Sequence, residues 1–404
     1  MTEEKKKLAV IGVGSAGLLN LMHMCVWLDK SWEVYSIHDP KRKILGIGES
    51  TNGGFVTLLE RATDFTLANP DDVSALGATL KFGSRFVGWR EEEWINPLLS
   101  GNVAVHFDNR MLKTFAYGRL AQLWPDQFRT LTGQVESMVD EGDRVTLSIE
   151  GKAHDFDYVV DCRGTPSDFT GYTQSDCTLL NRCQIHRIDD YEFRPFTDQI
   201  ATEHGWMFGV PLKGWKTYGY LYNDAITDPG AARADMMQVL GVKNLDSSSY
   251  QAEYVLKSYY ANELVSGRIC KNGNSALFFE PLIANSIHLY LNANRLIFDY
   301  IQKGTTAEKT NESFVHLVQE MEDLISYYYQ GGSLYQGEFW KAAASSAQTR
   351  LSGRKGFLQY LAQLRDAQQR GQLHTERGYG WSPQTWKIID ERLGYGYIQP
   401  ASDA

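Results

Sequence analysis

"LAVIGVGSAGLLNLMHMCVWL", residues 8–28, decides the fold. Its first six residues form a short apolar run suited to a strand buried on both faces, and the apolar positions after Gly14 recur at helical spacing. Gly12, Gly14 and Gly17 fill a GxGxxG pattern at the turn between the two. In that pattern the first glycine permits the tight turn, the second lets backbone approach a pyrophosphate, and the third lets helix pack on strand. The helix start at Ser15 and Ala16 then offers N–H groups and a partial positive charge to phosphate. A second strand, "WEVYSI" (32–37), runs into His38-Asp39, and Asp39 stands 22 residues after Gly17, where a ribose-binding acid is expected. The opening is a βαβ unit that predicts dinucleotide binding.

Working outward, "HDFDYVVDCRG" (154–164) reads as another buried strand, ending in Asp161 and Gly164. Asp161 is read there either as a contact to the cofactor's ribityl or phosphate groups or as the cap of a strand-terminal turn. Residues 140–157 alternate as a β-hairpin or small sheet does. Beyond about residue 305 the periodicity turns helical, as in 310–329 and 352–372. Strands that return late in the chain to a nucleotide site predict interleaved halves. In "ILGIGESTNGGF" (44–55), glycines flank Glu49, Ser50 and Thr51. Backbone of that kind presses against a flat ring and favours FAD over a nicotinamide nucleotide. With no second GxGxxG for NADPH, the flavin is expected to be reduced elsewhere and delivered by diffusion.

Composition excludes several classes. A net charge of −9 and a pI near 5.6 oppose a nucleic-acid partner. No window of about 18 apolar residues suggests a membrane span, and the start of the chain lacks the order of a secretory signal, so a cytosolic protein is expected. The cysteines at 25, 162, 177, 183 and 270 are odd in number with no CxxC pair, and the nine histidines contain no HExxH. They predict structural thiols and no metal centre.

One lysine needs an explanation: Lys81, ahead of the aromatic stretch in "ATLKFGSRFVGWR" (78–90). "GVGSAG", "GIGEST", "KFGSRFVGWR", "GWMFGVPL" (205–212) and "FFEPL" (278–282) resemble, in order and approximate spacing, the flavin-dependent halogenases related to tryptophan halogenase. The resemblance covers about residues 8–300, and "EFWKAA" (338–343) extends it. Lys81 and the 206–211 segment discriminate this family from related flavin monooxygenases.

The resemblance implies an α/β fold. It comprises an FAD-binding three-layer domain of the glutathione-reductase and hydroxybenzoate-hydroxylase type, an antiparallel substrate-domain sheet and a helical C-terminal region. The expected segments are 1–100 and 101–165 for FAD, 166–275 for the substrate sheet, 276–305 for an FAD-binding return and 306–404 for the helices. FAD contacts are expected from Gly12, Gly14, Ser15, Ala16, Gly17, Asp39, Gly48, Glu49, Ser50, Val135, Asp161 and Ile287. Halide is expected on the backbone N–H groups of Asn285 and Ser286. Trp206, Phe208 and Pro211 are expected to separate flavin from substrate.

The implied reaction begins with reduced flavin and O2, supplied through a separate flavin reductase, giving a C4a-hydroperoxide. Halide attack on its distal oxygen gives hypohalous acid, which Lys81 directs onto an electron-rich aromatic or heteroaromatic small molecule. A partly desolvated ammonium can donate to that electrophile or lose its proton and capture the halogen, tasks to which a guanidinium is poorly suited. One position departs from the family: the glutamate that faces its lysine is Ile283 here. Either another base works, or the substrate activates itself, as a phenol does. Arg85, Arg90, Tyr327, Tyr328, Tyr329, Tyr335, Phe339 and Trp340 are candidates for an aromatic substrate pocket. A flavin-dependent hydroxylase and a non-catalytic flavin-binding protein are the alternatives. Oligomeric state is left open.

Overall fold

The computed structural model describes residues 4–42, 44, 48–98, 103–189, 191–245, 251–372 and 382–393. Of the 44–55 loop, residues 45–47 lie outside the described residues. The strand Lys6–Ile11 lies inside a six-stranded sheet, parallel to Trp32–His38 on one side and to Tyr158–Asp161 on the other. Phe128–Thr132 extends the sheet beyond one neighbour, and Ile269–Lys271 with Val265–Ser266 extends it beyond the other.

Leu8, Ala9 and Val10 are fully buried because both faces of this sheet are covered. Alternation sends Leu8 and Val10 to the side of the helices Ser15–Trp27 and Asn285–Lys303. Ala9 and Ile11 face a three-stranded antiparallel sheet, Val135–Asp140, Val145–Ile149 and Lys152–Phe156, through Val145, Leu147 and Phe156. Antiparallel sheet, parallel sheet and helices make the three layers that the sequence predicted.

A seven-stranded sheet stands beside this unit. Its order is Gln251–Val255, Arg182–Ile188, Trp215–Tyr222, Gly205–Leu212, Phe196–Thr202, Gly83–Val87 and Trp94–Pro97. Every neighbouring pair is antiparallel except Phe196–Thr202 with Gly83–Val87. Two stretches cross the segment limits expected from the sequence. The strands at 83–97 join the larger sheet, and those at 265–271 join the nucleotide-binding sheet. Both are edge additions that follow backbone pairing rather than chain order.

The helices Ala307–Tyr329, Glu338–Ser352, Lys355–Gln369 and Pro383–Leu393 complete the molecule. Tyr327, Tyr328 and Tyr329, three consecutive helical residues, are all buried because the end of their helix is enclosed on three sides. Tyr327 meets Phe357 and Trp386, Tyr328 stacks on Phe86 with centroids 5.3 Å apart, and Tyr329 meets Trp89 and Trp340. Among the described residues no helix is long and apolar enough to cross a membrane.

Candidate active site

Two contiguous cavities form a trough between the sheets and share Glu49, Asn109, Asn274 and Tyr290 in their walls. The first, of about 410 Å³, is bounded by Gly12, Gly14, Ser15, Ala16, Asp39, Val135 and Gly164 among others. Its glycines have separable roles. Gly12 has φ +104°, and a Cβ there would lie 2.5 Å from the Cys162 carbonyl oxygen. A Cβ on Gly17 would lie 2.0 Å from the Gly12 oxygen, so Gly17 serves helix packing behind the wall. Gly14 has open space beyond its α-carbon, and the helix it starts has no side-chain cap. Bare N–H groups facing a void of this shape fit a pyrophosphate, with Asp39 at the ribose end. Asp161 is held by Arg163, whose Nε donates to it at 2.9 Å, and it does not line the void.

The second cavity, of about 610 Å³, has an apolar floor of Cys183, Ile185, Phe208, Val210 and Leu221 from the larger sheet. Gly219, opposite Phe208 in register, makes room for that ring, since a Cβ there would lie 2.2 Å from it. Gly48, Glu49 and Ser50 wall one side, as a loop against a flat ring must. Ser15 Oγ donates to Glu49 Oε1 at 2.9 Å, tying this loop to the dinucleotide helix. Burial raises the Glu49 pKa, opposed by hydrogen bonds from Ser15 and Asn109.

At one end of this cavity the chain enters the helix Asn285–Lys303, and Ala284, Ser286 and Ile287 line the wall. Ile283 and Ala284 both hold left-handed backbone, with φ of +55° and +59°, and no side chain caps the helix. Two successive left-handed L-residues cost about 1–2 kcal/mol each and persist where the surroundings over-determine them. The result is a second uncapped helix start aimed at the trough, with N–H groups suited to an anion.

Lys81 lies behind the Glu49–Ser50 wall. The strand Ala104–Phe107 pairs on one edge with Glu49–Ser50 and on the other with Thr79–Lys81. The lysine is 3% exposed, and its Nζ donates to the Thr51 carbonyl oxygen at 2.7 Å. Burial alone lowers its pKa to about 7. Beside it, His106 Nε2 stands 2.9 Å from Thr197 Oγ1, which stands 2.6 Å from Ser50 Oγ on the trough wall. Thr79 Oγ1 donates to the Pro211 carbonyl oxygen at 2.7 Å, which leaves its lone pairs toward His106 Nδ1. Burial, then the charges of Lys81 and Lys216, drive the His106 pKa well down, so the ring is neutral.

Of Trp206, Phe208 and Pro211, the trough is lined by Phe208. Trp206 lies deeper, against Trp89 and Tyr329, and Pro211 contributes its carbonyl to Thr79. The eight candidates for a substrate pocket are not brought to one cavity. Arg85 lines a separate cavity on the opposite face of the larger sheet, where it bonds Asp198, and Arg90 donates to the carbonyls of Trp89, Gly332 and Leu393. Tyr328, Tyr329, Phe339 and Trp340 are core.

Sequence reasoning missed Asn109, Thr197, Asn274, Tyr290 and His106. The signal for two of them was present in "HFDN" (106–109), where a strand ends and Asp108 caps the helix Asn109–Leu123 by accepting from Arg110 N–H.

The family model for tryptophan halogenase matches residues 97–395. Among curated relatives, a tryptophan 6-halogenase, ThaL, from Streptomyces albogriseolus is 24% identical over 267 residues, 60% of this chain and 48% of that protein. A tryptophan 7-halogenase, KtzQ, from Kutzneria sp. (strain 744) is 20% identical over 205 residues, 46% of this chain and 37% of that protein. The chain therefore spans about half or less of the length of the curated relatives it matches. Among solved structures, a tryptophan halogenase from Shewanella frigidimarina NCIMB 400 superposes with a TM-score of 0.80 at 15% identity, covering 100% of this chain and 91% of the other. BrvH, a flavin-dependent halogenase from Brevundimonas sp. BAL3, does so at 0.77 and 15% identity, covering 98% and 91%. These likenesses establish a shared fold.

Proposed function

The chain belongs to the tryptophan halogenase family, and from that premise we propose that it is an FAD-dependent halogenase acting on an electron-rich aromatic or heteroaromatic small molecule. The observation that carries the reading is Lys81: a lysine almost without solvent, held near neutral pKa, on the far edge of the small sheet whose near edge walls a trough that fits a flavin nucleotide.

Bound FAD, reduced by a separate reductase, would supply the oxygen chemistry that turns halide into hypohalous acid. Gly14, Ser15 and Ala16 would hold its pyrophosphate, Asp39 its ribose, and Gly48, Glu49 and Ser50 its ring. The N–H groups of Asn285 and Ser286 would hold the halide at the helix start. Phe208 and Val210 would keep water from the apolar floor. Lys81 Nζ–H donates to the hypohalous oxygen and orients its halogen toward the substrate ring. With the pKa at about 7, the free amine is also available to take the halogen itself.

No described carboxylate hydrogen-bonds Lys81, and Ile283 stands where the family has one. A substrate whose own hydroxyl or ring nitrogen drives substitution fits this chain. Ile283 is also the observation favouring a second reading, a flavin-binding protein without catalytic activity.

The test is incubation with FAD, a flavin reductase, NADH and a panel of phenols, indoles and pyrroles, with chloride, bromide, iodide or no halide, read by mass spectrometry. A halide-dependent mass shift supports the halogenase, and an added oxygen without halide dependence replaces it with a flavin-dependent hydroxylase. Lys81→Ala is expected to lower halogenation at least about a hundredfold, the scale of a lost proton-transfer group, with FAD affinity retained. Halogenation at the original rate and position by that variant would overturn the role given to Lys81.

A further inference from the structure

The strained turn at Ile283–Ala284 needs something to hold it, and the molecule supplies a buried chain that touches neither the trough nor Lys81. Trp206 Nε1 donates to Tyr329 OH at 2.7 Å, and Tyr329 OH donates to Glu280 Oε1 at 2.7 Å. The direction is fixed, because an indole N–H can only donate and so leaves the phenol hydrogen for the carboxyl. Glu280, 1% exposed, starts the turn: its backbone carbonyl accepts from Asn285 Nδ2 at 2.8 Å, while Ala284 N–H bonds the Pro281 carbonyl at 3.1 Å. Residues 280–285 thereby form a closed loop. One end is pinned by a side chain to the helix Ala307–Tyr329 and the strand Gly205–Leu212, and the other end is the uncapped helix start.

We propose that Trp206, Tyr329 and Glu280 are positioning residues for the anion-binding turn, setting halide affinity through the geometry of Ile283–Ala284 without contact to the halide. The proposal rests on the halogenase reading for the identity of the anion. It gives Trp206 a role other than that of a screen between flavin and substrate.

The surroundings of Glu280 suit this task. Burial raises its pKa to about 7, while Thr178, Tyr329 and Trp206 hydrogen bonds pull the other way. None of these facing groups is cationic, and the nearby Cys177 thiol is itself raised by burial and by the charge of Glu322. Below neutral pH the carboxyl therefore carries little negative charge beside an anion site.

The experiment titrates bromide into the FAD-loaded protein by calorimetry, independent of turnover, and determines bromide KM and kcat with a substrate that the panel of phenols, indoles and pyrroles identifies. Tyr329→Phe removes one hydrogen bond at constant shape. It is expected to weaken bromide binding about tenfold, the worth of one buried hydrogen bond, with FAD affinity and kcat near those of the original protein. Glu280→Ala is expected to weaken it at least as much. Glu280→Gln, whose amide oxygen still accepts from Tyr329, is expected to recover most of the affinity. Unchanged bromide affinity in Tyr329→Phe and Glu280→Ala overturns the proposal while leaving the halogenase reading intact. Parallel loss of FAD affinity also overturns it, since the chain would then support the fold in general. Absence of bromide binding to the original protein overturns both.

Discussion

At the residue scale, burying Lys81 costs stability that depends on pH. Its pKa falls from 10.5 to about 7 on folding, so between those values the unfolded chain binds a proton that the native chain does not. Stability attributable to this residue therefore rises with pH across that window, and the full penalty is present below about 7. Lys81→Met should be more stable than the original at pH 7, with the difference shrinking as pH approaches 10. Thermal melts of both proteins at the two pH values test this, and a gap that does not change with pH would refute the lowered pKa. Glu280 behaves in the opposite sense. Its raised pKa makes rising pH destabilising across the interval from 4.5 to about 7, so Glu280→Gln should gain on the original protein above neutrality and not at pH 4.5.

At the element scale, the left-handed pair before the helix Asn285–Lys303 is a local cost. Ala284→Gly should stabilise the protein by about 0.5 kcal/mol, the strain relieved less the added freedom of the unfolded chain. Denaturant titration measures it, and a loss of stability would show that the turn is unstrained. What the sequence disclosed about elements follows from range. The Lys6–Ile11 strand, its glycine turn and the Trp32–His38 strand are contiguous, so apolar runs and three glycines sufficed to read them. Thr197 reaches Ser50 across 147 residues, Asn109 reaches Glu49 across 60, and Tyr290 joins Asn274 from another element. No local pattern carries such pairings. Lys81 is singled out through family likeness alone, since a lysine beside a strand carries no local signal of its own. Arg85 shows the converse: near Lys81 in sequence, it lines a different cavity, because Lys81 belongs to the strand Thr79–Lys81 of the small sheet and Arg85 to the strand Gly83–Val87 of the larger one.

At the scale of the whole molecule, an aromatic layer joins the C-terminal helices to the seven-stranded sheet. Phe86 stacks on Trp94 with centroids 4.1 Å apart, and Trp89 meets Trp206 and Trp340. The indole N–H groups of Trp89, Trp206 and Trp340 all find acceptors, whereas the buried indole N–H of Trp94 has none among the described residues. Trp340→Ala should cost about 3–5 kcal/mol, and because the layer is continuous the loss should appear as one shifted transition, with flavin release and tryptophan fluorescence changing together. Two separated transitions would mean that the helices fold independently of the sheet.

The small sheet that carries the trough wall on one edge strand and Lys81 on the other acts as a ruler. With Ala104–Phe107 between them, the two edges stand two strand spacings apart, about 10 Å. That length is set by backbone hydrogen bonds, which no side-chain substitution rewrites. Under the halogenase reading proposed above, base, aromatic walls and substrate can all change while the spacing between the Glu49–Ser50 strand and the Lys81 strand stays constant.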